Sequence, residues 1–79
     1  MREKLKFEVY GIPPNEETAV FEKKLPLLNI DILMPIMGWK TDAEAVESYQ
    51  LTDNQIVAIE RLAGCVLPKD LDLFLSCYV

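Results

Sequence analysis

The sequence predicts an α+β domain: a mostly antiparallel four-stranded sheet with two helices packed on one face. Three observations lead to this fold class. Apolar and polar residues alternate near both ends of the chain, two internal segments combine helix caps with apolar stripes, and turn residues separate these segments. The predicted order is β-β-α-β-α-β. With 79 residues and no linker, we expect a single domain over residues 1–79.

Four segments are predicted to form the strands. The segment KLKFEVYG alternates, and the double proline in GIPPNEE then bars a helix or a central strand and indicates a turn. TAVFEKKLPL is predicted to return as the second strand of a hairpin, and its proline ends that strand. A short third strand is predicted at YQL, and LDLFLSCYV alternates again. The shared apolar face is predicted to contain Leu5, Phe7, Val9, Leu71, Leu73, Leu75, Cys77 and Val79.

The first predicted helix lies in NIDILMPIMGW, residues 29–39. Either Asn29 or Asp31 can serve as the N-cap, and Gly38 fits the left-handed position at the C-terminus. With Asp31 as the cap, Pro35 falls near the first turn, where its missing N–H costs least. The apolar residues surround most of this helix, so we expect it to be buried or covered by a partner. We expect Ile32, Leu33 and Ile36 to be mostly buried, and Met34, Met37 and Trp39 to lie nearer the surface.

The second predicted helix, TDNQIVAIERLAGC, has the clearest boundaries in the chain. Thr52 and Gln55 form a T-x-x-Q capping box, and Gly64 fits the position after the last turn. The segment before it, KTDAEAVES, is polar and acidic and is predicted as a loop with room for a helical turn. The apolar side of the helix is predicted to consist of Ile56, Ile59, Leu62 and Ala63.

No residue pattern in the chain indicates catalysis. The sequence contains no histidine, which removes the usual Ser-His and Cys-His pairs and the commonest metal ligand. Cys65 and Cys77 lack the spacing of a zinc site, and the glycines are isolated instead of forming a phosphate-binding loop. Carboxylate pairs such as Asp70 and Asp72 are typical of a solvated surface. We therefore expect no enzymatic activity, no metal and no cofactor.

The charge balance bears on the kind of partner. The chain has 13 acidic and 8 basic residues, a net charge of -5, which disfavours nucleic acid and favours a basic protein. The N-terminal MREKLKFEVY has no apolar signal region, and residues 29–39 are too short to span a bilayer, so we expect a cytoplasmic protein without membrane contact. Cys65 and Cys77 are then expected to be cytosolic thiols packed as small hydrophobes, with a disulfide as the alternative.

A partner-binding surface is predicted around the acidic segment. Its candidate residues are Trp39, Asp42, Glu44, Glu47 and Tyr49, because carboxylates around two aromatic rings suit docking onto a basic cleft. The alternative is structural: the Trp39 ring covers the edge of the core and the carboxylates are simply solvated. The polar sides of the first and last strands offer a second candidate surface, since they carry Tyr10 and Phe74.

Three segments carry a family resemblance: FEKKLPL, ESYQLTDNQIVAIERL and LDLFL. The second matches a Y-x-L-T-x-x-Q pattern through Tyr49, Leu51, Thr52 and Gln55, and the third roughly matches a terminal L-D-x-F/Y strand. In these segments the chain resembles a family of small bacterial domains of unassigned function. It departs from that family at ILMPIMGW, which replaces the usual amphipathic helix.

Small acidic domains of this kind resemble immunity proteins, which are encoded beside polymorphic or contact-dependent toxins. The resemblance implies a protein that binds and blocks a cognate toxin domain, often a nuclease with a basic cleft. The alternative is a self-associating structural or regulatory module that forms a homodimer. That alternative rests on the apolar last strand, LDLFLSCYV, because an unprotected strand edge can pair with a second copy.

Overall fold

The computed structural model describes residues 5–78 and confirms the predicted fold class. The strands form one antiparallel sheet in the order β2-β1-β4-β3. Val79, which was predicted to lie on the apolar face, falls outside the described residues. The elements are β1 (Lys6–Ile12), β2 (Phe21–Lys24), α1 (Ile30–Met37), a 3-10 helix (Asp42–Val46), β3 (Tyr49–Gln50), α2 (Asp53–Ala63) and β4 (Asp72–Tyr78).

The core lies between the helices and one face of the sheet, which we call the inner face. Alternation along β1 and β4 brings their apolar side chains to this face, as predicted. Both helices cover it, and removal of this apolar surface from water stabilises the domain. The most deeply buried side chains from the sheet and the two helices are Phe7, Val9, Ile30, Leu33, Ile56, Ile59, Leu73 and Leu75.

The last strand is not an edge strand. β4 lies between β1 and β3, and the backbone N–H of Leu51 extends its pairing by donating to the carbonyl of Leu73 at 2.8 Å. The prediction that β4 offers an unprotected edge is therefore wrong where β3 pairs with it, at residues 73–75, and the homodimer itself stays a prediction. Alternation identified β4 as a strand but carried no information on its neighbours, because pairing between strands depends on contacts distant in sequence.

The N-terminus of α1 differs from the predicted arrangement with Asp31 as its cap. Asn29 is the N-cap, and its side chain accepts a hydrogen bond from the backbone N–H of Ile32 at 3.0 Å. Pro35 therefore lies inside the helix, where it cannot donate the i→i−4 hydrogen bond. Leu33 is fully buried, as expected. Ile32 and Ile36 are partly buried and pack against the core, so the expectation that these residues are mostly buried is confirmed.

Both helices end in the same way, and this arrangement places Trp39 in the core. Gly38 has a left-handed φ of 75°, and the N–H groups of Gly38 and Trp39 both donate to the carbonyl of Met34. In this C-terminal motif the residue after the glycine turns back toward the helix. Trp39 is consequently only 7% exposed, and the prediction that it lies near the surface was wrong. Met34 and Met37 are partly buried.

The second helix has the predicted capping box. The Thr52 hydroxyl accepts from the N–H of Gln55 at 3.2 Å, and the Gln55 side chain accepts from the N–H of Thr52 at 2.9 Å. Leu62 is 47% exposed, so the predicted apolar side is narrower than expected. Neither helix in residues 5–78 is long and apolar enough to cross a membrane.

A carboxylate holds the connector that follows α2. Glu60 accepts a hydrogen bond from the backbone N–H of Leu67 at 2.7 Å and pairs with the Lys69 ammonium. These two interactions, with the Leu67 N–H contributing most, lower the pKa of Glu60 below its usual value. Because Leu67 is buried, Glu60 fixes a core residue of the connector relative to the helix.

Candidate protein-binding surfaces

The acidic segment contains a 3-10 helix, Asp42–Val46, which is the helical turn that the sequence left room for. The Glu44 carboxylate accepts hydrogen bonds from the backbone N–H groups of Lys40 at 3.0 Å and Thr41 at 3.2 Å. It thereby satisfies donors that the start of a short helix leaves without partners. Glu44 thus has a structural role in the free protein, whereas Asp42 and Glu47 are exposed.

Trp39 and Tyr49 belong to an aromatic cluster on the inner face. The Trp39 ring centroid lies 6.0 Å from that of Phe7 and 5.7 Å from that of Tyr49. The Tyr49 hydroxyl donates to the backbone carbonyl of Glu44 at 2.6 Å, which ties the 3-10 helix to the sheet. We call Phe7, Trp39 and Tyr49 the inner cluster.

Two polar groups of the inner cluster are unusual. The buried indole N–H of Trp39 has no hydrogen-bond partner within residues 5–78. Partial burial, followed by the negative charges of Glu47 and Glu44, raises the pKa of Tyr49. The nearby N–H of Trp39 lowers the pKa of Tyr49 slightly. Its position relative to the Tyr49 hydroxyl does not meet the geometry of a hydrogen bond.

Of the five predicted partner-binding residues, the structure brings Tyr49 into contact with both Trp39 and Glu44 and leaves Asp42 and Glu47 exposed. Trp39 is too deeply buried to touch a partner in this conformation. A partner-binding role for the five residues stays a prediction. In the free protein, Asp42 and Glu47 are the most exposed of the five, and Glu44 and Tyr49 are partly exposed.

The opposite side of the sheet, which we call the outer face, faces away from both helices. One complete row of side chains crosses it: Glu22 on β2, Tyr10 on β1, Phe74 on β4 and Gln50 on β3. The Tyr10 and Phe74 rings stack with centroids 5.2 Å apart and an interplanar angle of 12°. Both rings are half-buried, so they offer apolar area beside a polar rim.

A second group on the outer face is held together by a cation. The Lys24 ammonium lies 3.1 Å from the Glu8 carboxylate and 4.3 Å from the centroid of the Tyr78 ring. The hydrogen bond with Glu8 is the main cause that raises the pKa of Lys24. This arrangement combines an ion pair with a cation–π contact.

The acidic segment borders the outer face. The hydroxyl of Ser48, which follows Glu47, lies 3.5 Å from that of Ser76 on β4. The two surfaces proposed from the sequence therefore meet along β3. Sequence analysis recognised Tyr10 and Phe74 but missed Glu22 and Lys24. Alternation in FEKK places these two residues on one side of the strand, and that was the signal available.

Other chemistry is sparse in the part of the chain that the structure describes. Residues 5–78 contain no group of three or more His, Cys, Asp or Glu side chains placed to hold a metal ion. Cys65 and Cys77 are free thiols that are partly buried against the core, and burial raises the pKa of Cys77. Neither thiol lies on the sheet row that carries Tyr10 and Phe74.

Comparison with known proteins finds no matching family model, no similar curated sequence and no similar solved structure. The resemblance to immunity proteins stays a prediction. The functional argument therefore rests on the two surfaces described above.

Proposed function

We propose that this chain is a non-catalytic binding protein of the immunity type, which blocks a basic toxin domain in the bacterial cytoplasm. The observation that carries the proposal is the outer face: a stacked aromatic pair, Tyr10 and Phe74, lies between exposed carboxylates and away from both helices. The acidic segment borders this face along β3 and adds negative charge at its edge.

The distribution of charge supports a basic partner. Lys24 and Lys69 form ion pairs with Glu8 and Glu60, two carboxylates that are partly buried. Each pair neutralises an exposed lysine with a carboxylate that is itself partly buried. The exposed surface therefore carries more negative than positive charge, in a chain whose net charge is -5. Complementary charge accelerates encounter with a basic cleft and disfavours acidic partners.

The aromatic pair supplies binding affinity, which charge at the rim alone does not. Rim charges act mainly on association rate and specificity, whereas affinity comes largely from a few well-packed side chains, often tyrosine, tryptophan or arginine. Tyr10 and Phe74 already stack on each other, so little side-chain freedom is lost when a partner covers them. This outer face has the composition of an interface centre with a charged rim.

The proposal is tested by co-expression. The product of the neighbouring reading frame is placed under an inducible promoter in a bacterial host, with or without this chain on a second plasmid. The proposal predicts that induction stops growth, that this chain restores growth, and that the two proteins form a stable complex in solution. A neighbouring product that is toxic but is neither bound nor neutralised by this chain would contradict it.

A variant pair distinguishes specific binding from a general effect of an acidic protein. Phe74→Ala removes the centre of the outer face, and Val66→Ala removes a side chain that is 86% exposed in the connector after α2. Phe74→Ala is expected to lose protection while Val66→Ala retains it, with both variants folded and equally abundant. Equal protection by both variants would mean that the toxin docks elsewhere.

A further inference from the structure

We propose that the end of the outer face formed by Tyr10, Phe74, Glu22 and Asp72 binds an arginine side chain of the partner. This inference rests on the proposed function, because it names the chemical group that the binding surface receives.

The molecule contains an internal model for this site. In the group of Lys24, Glu8 and Tyr78, an ammonium lies over an aromatic ring while it pairs with a carboxylate. The neighbouring half of the same face repeats two of these three components. It has aromatic rings, Tyr10 and Phe74, and carboxylates, but among residues 5–78 no cation lies over these rings.

Sheet register places the carboxylates close to the rings. Glu22 is directly opposite Tyr10 on β2, and such pairs have Cβ atoms about 5 Å apart. Asp72 precedes Phe74 by two residues on the same face of β4, a separation of about 6.6 Å along the strand. A cation over the stacked rings therefore lies within reach of a carboxylate on either side.

No basic residue of the described chain occupies this position. Within residues 5–78, the ion pairs of Lys24 and Lys69 involve Glu8 and Glu60, and the cation–π contact involves Tyr78. Glu22 and Asp72 are exposed. The acceptors for a positive charge are thus already arranged without a cation from residues 5–78, and we infer that a partner supplies it.

Arginine fits the site better than lysine does. Its planar guanidinium stacks on an aromatic face and still directs N–H groups outward to carboxylates. It is also more weakly hydrated than an ammonium group, so its contact with the rings costs less desolvation. The Tyr10 and Phe74 rings stack on each other at 12°, so each ring covers one side of the other and leaves its remaining face for a planar guanidinium.

The test is a ¹H–¹⁵N NMR titration with two short peptides that alternate glycine with arginine or with citrulline, the neutral analogue of arginine. The arginine peptide is expected to shift the backbone amides of Glu22, Tyr10, Phe74 and Asp72. The citrulline peptide is expected to bind about tenfold more weakly, because it loses both the ion pair and the cation–π contact. A lysine peptide is expected to fall between the two.

Two variants and a matched control sharpen the assignment. Phe74→Leu keeps an apolar side chain but removes the ring, and Glu22→Gln removes one charge; each is expected to weaken binding of the arginine peptide severalfold. Asp53→Asn removes an exposed charge from α2, which packs against the inner face, and is expected to leave binding unchanged. The dispersion of each spectrum reports whether the variant is folded.

Equal binding of the arginine and citrulline peptides would overturn the site. Shifts spread over all acidic regions, or centred on Asp42 and Glu47, would overturn it as well. The co-expression experiment uses no peptide and so separates the two proposals. Protection by the wild-type chain together with a negative titration would remove the arginine site and leave the proposed function standing.

Discussion

Two aromatic clusters lie on opposite faces of the sheet in this domain. The inner cluster of Phe7, Trp39 and Tyr49 is covered by the helices, and Trp39 in it is 7% exposed. On the outer face, Tyr10 and Phe74 stack without a helix above them. The comparison sets a covered aromatic cluster, which contributes to the core, beside an uncovered pair, for which we propose a binding role.

The polar and charged groups around the two clusters also differ in whether they are bonded within the protein. Around the inner cluster, Glu44 and Tyr49 use their polar atoms for bonds within the protein, to backbone groups. Around the outer pair, Glu22 and Asp72 remain exposed. Polar groups beside the core are therefore largely satisfied internally, whereas those on the outer face are available to another molecule.

The largest expected effect compares the two clusters directly. Trp39→Ala is expected to lower the free energy of unfolding by about 3–5 kcal/mol, because it leaves a large cavity in the core. Phe74→Ala is expected to cost about 1 kcal/mol or less, the size of a cross-strand pair on an open face. Urea denaturation followed by far-UV circular dichroism measures both. Equal losses would show that the outer pair also serves mainly for stability.

The predictable part of the fold came from local signals. Alternation identified the strands, and Thr52, Gln55 and Gly64 marked the ends of α2, since capping depends on neighbouring residues. The strand order was not predictable in this way, and β4 proved to be internal. For α1, Asn29 and Asp31 both carry a suitable side-chain oxygen, so cap chemistry alone did not choose between them.

For the binding surfaces too, local patterns predicted some features and missed those that depend on contacts distant in sequence. The partner-facing prediction relied on composition around residues 39–49, but Trp39 returned to the core and Glu44 became a cap. A left-handed Gly38 already indicated that the next residue packs back toward its helix, which was the signal for Trp39. Contacts across the sheet, such as Lys24 over Tyr78, required the register and were beyond local patterns.

The next expected effect concerns a cap that lies outside both clusters. Thr52→Ala is expected to lower the free energy of unfolding by about 1 kcal/mol, because the N–H of Gln55 loses its acceptor. Affinity for the partner is expected to stay the same once the folded fraction is taken into account. A folded Thr52→Ala protein that binds much more weakly would extend the interface to the start of α2.

A smaller effect is expected from pH. The folded-state pKa of Glu60 is lowered, so its stabilising contribution is present above the usual pKa of glutamate, about 4.3, and is lost as the pH falls through the folded value. The midpoint of urea denaturation is therefore expected to drop less between pH 6 and pH 3 (approximate endpoints around that pKa) in Glu60→Gln than in the wild type. Glu17→Gln, an exposed carboxylate, serves as the control and is expected to follow the wild type. Parallel curves for all three proteins would contradict this role of Glu60.

The smallest expected effect concerns the acidic border. Because Glu44 caps the 3-10 helix, reversal of Glu47 alone isolates the effect of charge on association. Glu47→Lys is expected to slow association with the toxin domain severalfold at low salt, with the difference shrinking as salt screens the charges. Stopped-flow kinetics at two ionic strengths measures this. An unchanged rate at low salt would remove the acidic segment from the encounter surface.

The most direct test of the central claim is the affinity of folded Phe74→Ala for the proposed toxin partner, the product of the neighbouring reading frame, measured by isothermal titration calorimetry beside Val66→Ala. If the outer face is the interface, Phe74→Ala weakens binding by about tenfold or more, the size of a hot-spot loss. Val66→Ala then binds within about twofold of the wild type, as expected for an exposed side chain outside the interface. Wild-type affinity in a folded Phe74→Ala protein would contradict the claim.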